Sequence, residues 1–246
     1  MVKEALSDID WLSRDGSLLV TDVFTGEEVT AIREEITAAL EATPEGSQAI
    51  RSRAGRIYAA RNMLSIFPAA LTLWQREPLL SLLRETLGDE FGLVRGLYFD
   101  KHPEKSWSLP WHKDLTIAVE RNDLPTTEFK NPTTKAGVAH VEASTAVLNQ
   151  MLTLRIHLDR VTEANGPLLV IPGSHHDGKT PAAGSSDFRA ILSAGGDVLA
   201  MRPLLSHSSG ESHEGTTSHR RILHLEFAGQ RELPDGYKWH TFLPPD

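Results

Sequence analysis

The residues most capable of chemistry are a histidine and an aspartate with one residue between them, followed far downstream by a second histidine and an arginine. They are His112, Asp114, His207 and Arg220. Two imidazoles and one carboxylate form the facial triad of non-haem iron(II) oxygenases, which leaves coordination positions open. An arginine beyond the second histidine supplies a planar, two-pronged donor for a carboxylate. This set of residues predicts a metal centre beside an anion site.

An H-x-D triplet is weak evidence on its own. The chain contains three of them: His112/Asp114, His157/Asp159 and His175/Asp177. On a strand, the first pair would leave one face while Trp111 and Leu115 take the other. The second pair ends an apolar run just before a turn, which is typical of a barrel-wall histidine and a turn-initiating aspartate. The third lies in a loop. The sequence context therefore favours His112 and Asp114 as the metal-binding pair.

Four histidines could supply the third metal ligand: His207, His213, His219 and His224. We favour His207 because an apolar run that predicts a strand delivers it. It also leaves a turn before the next strand, which can bring Arg220 back beneath the metal.

Composition limits the class of protein. The chain has 246 residues, 40% of them hydrophobic, which is enough for one domain spanning 1–246. A net charge of −8 offers no basic face, so we expect no nucleic-acid partner. The absence of cysteine excludes disulfides and thiolate chemistry. The N-terminus does not resemble a signal peptide, and no apolar stretch is long enough to cross a membrane. We expect a cytoplasmic protein, and the sequence does not distinguish a monomer from a homodimer.

Residues 1–92 are predicted to be mostly helical. Thr25 and Glu28 have capping-box spacing, and an apolar stripe follows them. A second helix is predicted over residues 78–87, ending at Gly88. A short strand is predicted over residues 18–20.

Residues 93–228 change to short apolar runs separated by turn residues. Candidate strands cover residues 93–100, 111–116, 152–159, 168–171, 197–201 and 222–227. The expected fold is mainly β, a double-stranded β-helix or cupin-like jelly-roll with the N-terminal helices packed outside it. Residues 229–246 are expected to form a C-terminal tail.

Residues 120–146 stand apart because they are long, polar and rich in Pro, Thr and Gly. A long loop in a compact domain is usually functional or disordered. We expect a lid over the active site, with a plain surface insertion as the alternative.

The motifs around these residues resemble those of the phytanoyl-CoA dioxygenase family. The resemblance covers residues 93–228 and rests on four segments, which read WHKD at 111–114, EANGPL at 163–168, VIPGSH at 170–175 and HSS…HRR at 207–221. It implies a double-stranded β-helix that uses Fe(II), 2-oxoglutarate and O2.

The resemblance also implies roles for particular residues. His112, Asp114 and His207 would hold the iron, while Arg220 would bind 2-oxoglutarate with Ser209 as a helper. Arg220 is preferred to Arg221 because it shares strand parity with His224. The implied reaction hydroxylates a C–H bond of a small molecule and releases succinate and CO2.

Residues that contact the substrate are the least constrained part of the prediction. Thr153, Arg155 and His157 alternate with leucines and an isoleucine, so they would face the barrel interior. A buried arginine needs an anionic partner, which could be a carboxylate or phosphate of the substrate or a scaffold carboxylate such as Glu226 or Asp159. Weaker candidates are Arg61, Lys135 and His140.

Two other classes of function fit a histidine–aspartate site on this barrel. One is a cupin-like metal-dependent hydrolase or isomerase, and the other is a small-molecule binding protein. Neither class would need Arg220.

Overall fold

The computed structural model of the protein describes residues 7–44, 49–51, 57–103, 106–182 and 186–245. Strands account for 33% of the structure and helices for 25%. All strand pairs are antiparallel. The prediction of a mainly β jelly-roll with helices packed outside it is confirmed.

The largest sheet has seven strands in the described part of the chain. In spatial order they are β1 (Ser17–Val20), β12 (Val198–Met201), β9 (Met151–His157), β14 (Arg220–Ala228), β4 (Gly92–Lys101), β3 (Ile57–Ala60) and β2 (Ala49–Arg51). We call it the major sheet. Its central strands β4 and β14 are its longest, and they pair along nearly their whole length.

Two smaller sheets complete the described β structure. The minor sheet contains, in order, β11 (Arg189–Ile191), β10 (Leu168–Val170), β13 (His207–Ser209) and β5 (Leu109–His112). The third sheet contains β6 (Thr116–Val119), β8 (Val138–Glu142) and β7 (Lys130–Lys135).

The α-helices are α1 (Asp8–Asp15), α2 (Gly26–Glu41), α3 (Met63–Ile66), α4 (Leu79–Leu87) and α5 (Thr145–Asn149). Short 3-10 helices cover Pro68–Leu71, Glu163–Asn165, Ser174–His176 and Pro234–Gly236. The predicted capping box begins α2, because the Thr25 amide donates to Glu28 and the Glu28 amide donates back to Thr25. The helix α4 ends at Gly88, as predicted.

Strand alternation on β9 separates the main core from the site. Leu152, Leu154 and Ile156 pack into the core that contains the buried faces of α2 and α4. Thr153 and Arg155 point the other way and line an internal cavity. Successive side chains of a strand leave opposite faces, so one strand serves both layers.

The segment 120–146 differs from its prediction as a long loop. It contains β7, β8 and the start of α5, and β8 pairs with both β6 and β7. Val141 is buried in a second core with Tyr237 and Trp239, so the described part of the C-terminal segment packs against this sheet. The strand β7 was missed because it is an exposed edge strand that carries Lys130 and Pro132, as edge strands often do.

Two other boundaries differ from the sequence prediction. The strand predicted at residues 18–20 is β1, but the N-terminal part is less helical than expected because β2 and β3 extend the other edge of the major sheet. The predicted strand 111–116 is two strands, with β5 ending at His112 and β6 beginning at Thr116. Asp114 therefore lies in the connection and not on a strand.

Candidate active site

A cavity of about 310 Å³ lies among the three sheets. From the major sheet it is lined by alternating residues of β4, β9 and β14, and from the minor sheet by residues of β5, β10 and β13. The lining combines apolar side chains with a concentration of charged ones. Such a concave site with converging polar groups is typical of a small-molecule active site.

His112, Asp114 and His207 meet on one wall of this cavity. His112 ends β5 and His207 begins β13, and the two are cross-strand partners. The backbone amide of Asp114 donates to the Pro203 carbonyl at 2.9 Å, which turns the carboxylate toward the histidines. One ligand atom from each residue lies within 4.8 Å of the others, and His207 Nε2 is 3.7 Å from Asp114 Oδ2. The three side chains could hold one metal ion.

Hydrogen bonds fix both imidazoles in the form that a metal requires. His112 Nδ1 donates to the Pro110 carbonyl and His207 Nδ1 donates to the Leu205 carbonyl, each at 2.8 Å. The Nε2 lone pairs are therefore free to coordinate. Burial lowers the pKa of His207 to about 4, so it is neutral at physiological pH. The donor set and its tautomers fit Fe(II).

Hydrogen bonds of Lys113 and Ser174 hold in place the segments that contain the triad. Lys113 Nζ donates to the carbonyls of Ser174 and Gly178 at 2.6 and 2.7 Å. Ser174 Oγ donates to the Ile171 carbonyl and accepts from the Ser206 amide. The PGSH segment thus ties β5 to the start of β13, and its role in the structure is to position His112 and His207.

One end of the cavity is lined by Arg220 and Ser209, and the buried Lys101 lies next to both. Arg220 and Lys101 are cross-strand partners at the ends of β14 and β4. Lys101 is fully buried and donates to Ser209 Oγ at 3.0 Å and to the Gly210 carbonyl. Burial and the nearby Arg220 and Arg155 lower the pKa of Lys101 to about 7.

Arg220 is an unmatched buried cation. Burial and the nearby Arg155 lower its pKa to about 9, and its Nε has no hydrogen-bond partner within the described chain. Buried donors are normally satisfied, so an orphaned one aimed at a cavity indicates a missing acceptor. A carboxylate is the acceptor that a guanidinium fits best.

The Asn-Gly turn closes the wall behind this end. Asn165 donates to the carbonyls of Arg160 and His219, which holds the residue before Arg220 in place. Gly166 has φ +69°, and a Cβ there would come within 2.6 Å of the Gly210 carbonyl and 3.1 Å of Lys101 Nζ. Only glycine allows this approach.

A row of charged side chains crosses the middle of the major sheet. Arg155 Nη1 donates to His224 Nδ1 at 3.2 Å, and His224 Nε2 lies 3.3 Å from Glu226 Oε1. Glu226 in turn accepts from Arg95 Nη1 at 3.3 Å. Burial lowers the pKa of Arg155, and Asp114 opposes that effect. Arg155 therefore has scaffold partners on two sides.

The other end of the cavity carries three cations: Arg61, Arg95 and Lys135. Arg61 follows β3, and Lys135 ends β7 at the hairpin turn. Asn62 Nδ2 donates to the Ala136 carbonyl at 3.3 Å, which docks the hairpin against the N-terminal part.

The structure brings most of the predicted site residues to one cavity. Its lining includes His112, Asp114, His207, Arg220, Ser209, Thr153, Arg155, Arg61 and Lys135. His140 and His157 do not line it. His140 is buried and donates to the Val138 carbonyl, while His157 Nδ1 is hydrogen-bonded to Ser193 Oγ at 2.6 Å. Burial lowers the pKa of both histidines, to about 4 and about 3.

The other two H-x-D pairs have structural partners instead. Asp159 accepts from Arg33 and Arg221, and His175 is hydrogen-bonded to the Ser13 carbonyl. Within the part of the chain that the structure describes, neither pair joins a third metal-ligating residue.

The sequence prediction missed Lys101 and Arg95. Arg95 lies within the predicted strand 93–100 and Lys101 lies one residue beyond it, and on β4 both share the parity of the cavity-lining Leu97 and Phe99. A signal was present, since two cations at the same parity in an otherwise apolar strand need a polar space to face.

Fold and site together define a metal-dependent enzyme of the jelly-roll oxygenase type. The family profile of the phytanoyl-CoA dioxygenases matches residues 12–222. The chain belongs to the phytanoyl-CoA dioxygenase family, whose members depend on Fe(II), 2-oxoglutarate and O2. The predicted family, enzyme class and cofactors are confirmed. This favours an oxygenase over the hydrolase, isomerase or binding protein that we considered as alternatives.

Solved structures support the same fold. EctD from S. alaskensis with bound Fe is 20% identical with a TM-score of 0.67, over 93% of this chain and 79% of that one. EctD has also been solved with 2-oxoglutarate and 5-hydroxyectoine. HygX from Streptomyces hygroscopicus with iron bound is 17% identical with a TM-score of 0.61, over 97% of this chain and 98% of that one.

A comparison with curated protein sequences finds no match. Within the described residues, no helix is long and apolar enough to cross a membrane.

Proposed function

We propose that this protein hydroxylates an unactivated C–H bond of a small-molecule substrate, with His112, Asp114 and His207 as the iron ligands. Arg220 and Ser209 would bind 2-oxoglutarate. The observation that carries the proposal is the presence of a three-ligand cluster and an orphaned buried arginine in one cavity. A hydrolase has no use for that arginine.

The triad would act by holding the metal without saturating it. Two imidazoles and one carboxylate would leave the metal open to bind 2-oxoglutarate and dioxygen. Burial raises the pKa of Asp114, but nearby positive charge, including that of Arg155, lowers it below its ordinary value, which favours the carboxylate form of the ligand. When bound, Fe(II) with 2-oxoglutarate activates O2, placing one oxygen atom in succinate and the other in the hydroxylated product, with loss of CO2.

Arg220 would select 2-oxoglutarate by its distal carboxylate. The guanidinium is buried, so an incoming carboxylate regains the charge stabilisation that burial removed. Ser209 Oγ and Lys101 Nζ stand beside it and extend the polar surface. The buried, cationic end disfavours a neutral ligand because such a ligand would leave donors unpaired.

The test is an anaerobic addition of Fe(II) and 2-oxoglutarate to the metal-free protein. We expect a weak visible charge-transfer band, and Asp114→Ala should abolish or shift it. Asp177→Ala is the matched control, because it removes the aspartate of the loop H-x-D pair and should leave the band intact. Absence of the band from the unsubstituted protein would overturn the proposal.

A further inference from the structure

Two groups of cations lie in or beside the cavity wall, one toward each end of the strands β4 and β14. Arg220 pairs with Lys101 across β14 and β4, while Glu226 pairs with Arg95 on the same two strands. Six residues of strand separate the two pairs, which corresponds to about 20 Å. The triad faces the middle, where Asp114 interacts with His224 and Arg155.

The cations that lower each lysine pKa also belong to two separate groups. The pKa of Lys101 is lowered by burial and by Arg220 and Arg155. The pKa of Lys135 is also lowered by burial, but its repulsive neighbours are Arg95 and Arg61. The cavity therefore has one cationic group at each end, and 2-oxoglutarate can occupy only one of them.

The second group has more positive charge than its surroundings balance. Of its three cations, Arg95 is paired with Glu226 at 3.3 Å. Arg61 and Lys135 both line the cavity and are only half-buried, and neither makes an ion pair or hydrogen bond within the described part of the chain. The group keeps two uncompensated positive charges.

Three separate elements bring these cations together. Arg61 comes from the end of β3, Arg95 from β4 and Lys135 from the β7–β8 hairpin, whose turn is docked on Asn62. Grouping like charges costs free energy. A folded protein that holds them around a cavity is complementary to an anion.

The cavity that holds the triad and this group also has apolar walls. Its lining includes Leu97, Leu115, Ile117, Leu148 and Met151. A ligand with a charged head at the cationic group would therefore pack a hydrocarbon portion against these side chains.

We propose that Arg61, Arg95 and Lys135 form an oxyanion-binding subsite, and that the substrate carries a phosphate or carboxylate at the end of the molecule away from the oxidised carbon. This assignment of substrate class rests on the proposed function. The two unpaired cations match a dianionic head.

The test uses protein loaded with Fe(II) and saturating 2-oxoglutarate without O2, so that Arg220 is already occupied. Inorganic phosphate and propionate are titrated separately by calorimetry. Phosphate should bind, and Arg61→Gln and Lys135→Gln should each weaken it at least about 10-fold, as expected for a hydrogen bond to a charged group. Lys135→Arg keeps the charge and should restore most of the affinity.

The matched control is Lys130→Gln, which removes an exposed lysine of the same strand β7 outside the cavity. It should leave phosphate affinity unchanged. Tighter binding of phosphate than of propionate identifies a phosphorylated substrate class, and the reverse order identifies a carboxylate.

Equal anion affinity in the wild type and the Arg61→Gln/Lys135→Gln double variant would overturn the subsite, and so would absence of binding of both anions. The charge-transfer band separates this failure from failure of the proposed function. A normal charge-transfer band without anion binding would refute only the proposed subsite. Anion binding without a charge-transfer band would refute only the proposed iron and 2-oxoglutarate site.

Discussion

The two ends of the cavity are built in different ways. The Arg220 end lies on β4 and β14, the two longest strands, and is buried. The Arg61 and Lys135 end is half-buried and is completed by the segment after β3 and by the β7–β8 hairpin. Both ends use β4 and β14, which carry Arg95 and Glu226 at the second end, but only the second end also depends on the segment after β3 and on the third sheet.

This difference indicates which end of the cavity can change in sequence without disturbing the fold. Changing the Arg220 end would disturb the long ladder between β4 and β14 and the Asn165–Gly166 turn behind it. Changing the other end alters a surface hairpin and one connection, which a fold tolerates more readily. The rigid end suits a common co-substrate, and the adjustable end suits the substrate.

Arg220→Ala should give the largest effect and should affect one end only. Truncating one member of a buried charge pair costs about 2–5 kcal/mol, or roughly 30- to 4000-fold in 2-oxoglutarate affinity. Anaerobic titration of the charge-transfer band measures this. Arg221→Ala is a suitable comparison because Arg221 pairs with Asp159 outside the cavity. Unchanged 2-oxoglutarate affinity in Arg220→Ala would refute the assignment of the ends.

Glu226→Gln should lower the stability of the fold and raise the anion affinity of the Arg61 and Lys135 end. It breaks a buried pair with Arg95, so the free energy of unfolding should fall by about 2–4 kcal/mol. It should also tighten phosphate binding, since a third cation loses its partner. Urea unfolding and calorimetry measure the two effects, with exposed Glu214→Gln as the control.

The stability effect of Glu226 should depend on pH. Burial raises the pKa of Glu226, but Arg95 and His224 outweigh it, so the folded-state value lies below 4.5. A depressed carboxyl pKa contributes stability above the unfolded pKa and loses it as pH falls through the folded value. The difference in unfolding free energy between wild type and Glu226→Gln should thus be constant above pH 4.5 and shrink below it. A difference that grows in acid would contradict this.

The salt dependence of anion binding should differ between the two ends. Raising ionic strength from about 0.1 M to about 1 M shortens the Debye length from about 10 Å to about 3 Å. Phosphate affinity at the half-buried end should fall about 5- to 10-fold, and 2-oxoglutarate affinity at the buried end much less, because buried pairs are screened weakly. Equal salt dependence of the two dissociation constants would show that the ends do not differ in exposure to ions.

Asn62→Gly should cause the smallest change in anion affinity among these variants. It removes the hydrogen bond that docks the hairpin at Ala136 but permits the positive φ of 57° at this position. Phosphate affinity should fall about two- to fivefold, which corresponds to the net value of one hydrogen bond. The affinity for 2-oxoglutarate should not change, and a parallel loss would mean that the hairpin supports both ends.

Local patterns in the sequence predicted the parts of the fold that rest on strand alternation. The contrast between Leu154 and Arg155 on β9 indicated which face meets the core and which meets the cavity. The capping box at Thr25 and the glycine after α4 fixed helix ends, because these signals depend only on neighbours in sequence.

Features that depend on tertiary contacts were not predictable. The strand β7 is polar because it is an exposed edge, so its sequence has the character of a loop. Asp114 faces the histidines through its backbone bond to Pro203, a partner distant in sequence, and not through strand parity. Arg61 and Lys135 come from separate elements, and only the docking of the hairpin makes them neighbours.

The most direct test of the account is whether the two ends bind anions independently. Fe(II)-loaded protein is titrated anaerobically with 2-oxoglutarate, with and without saturating inorganic phosphate, and the charge-transfer band gives the dissociation constant. Because the ends are about 20 Å apart along the strands and charges at that distance are largely screened, phosphate should change the constant by less than about twofold. A 2-oxoglutarate dissociation constant that rises in proportion to phosphate concentration would mean that both anions compete for one site, and would contradict the account.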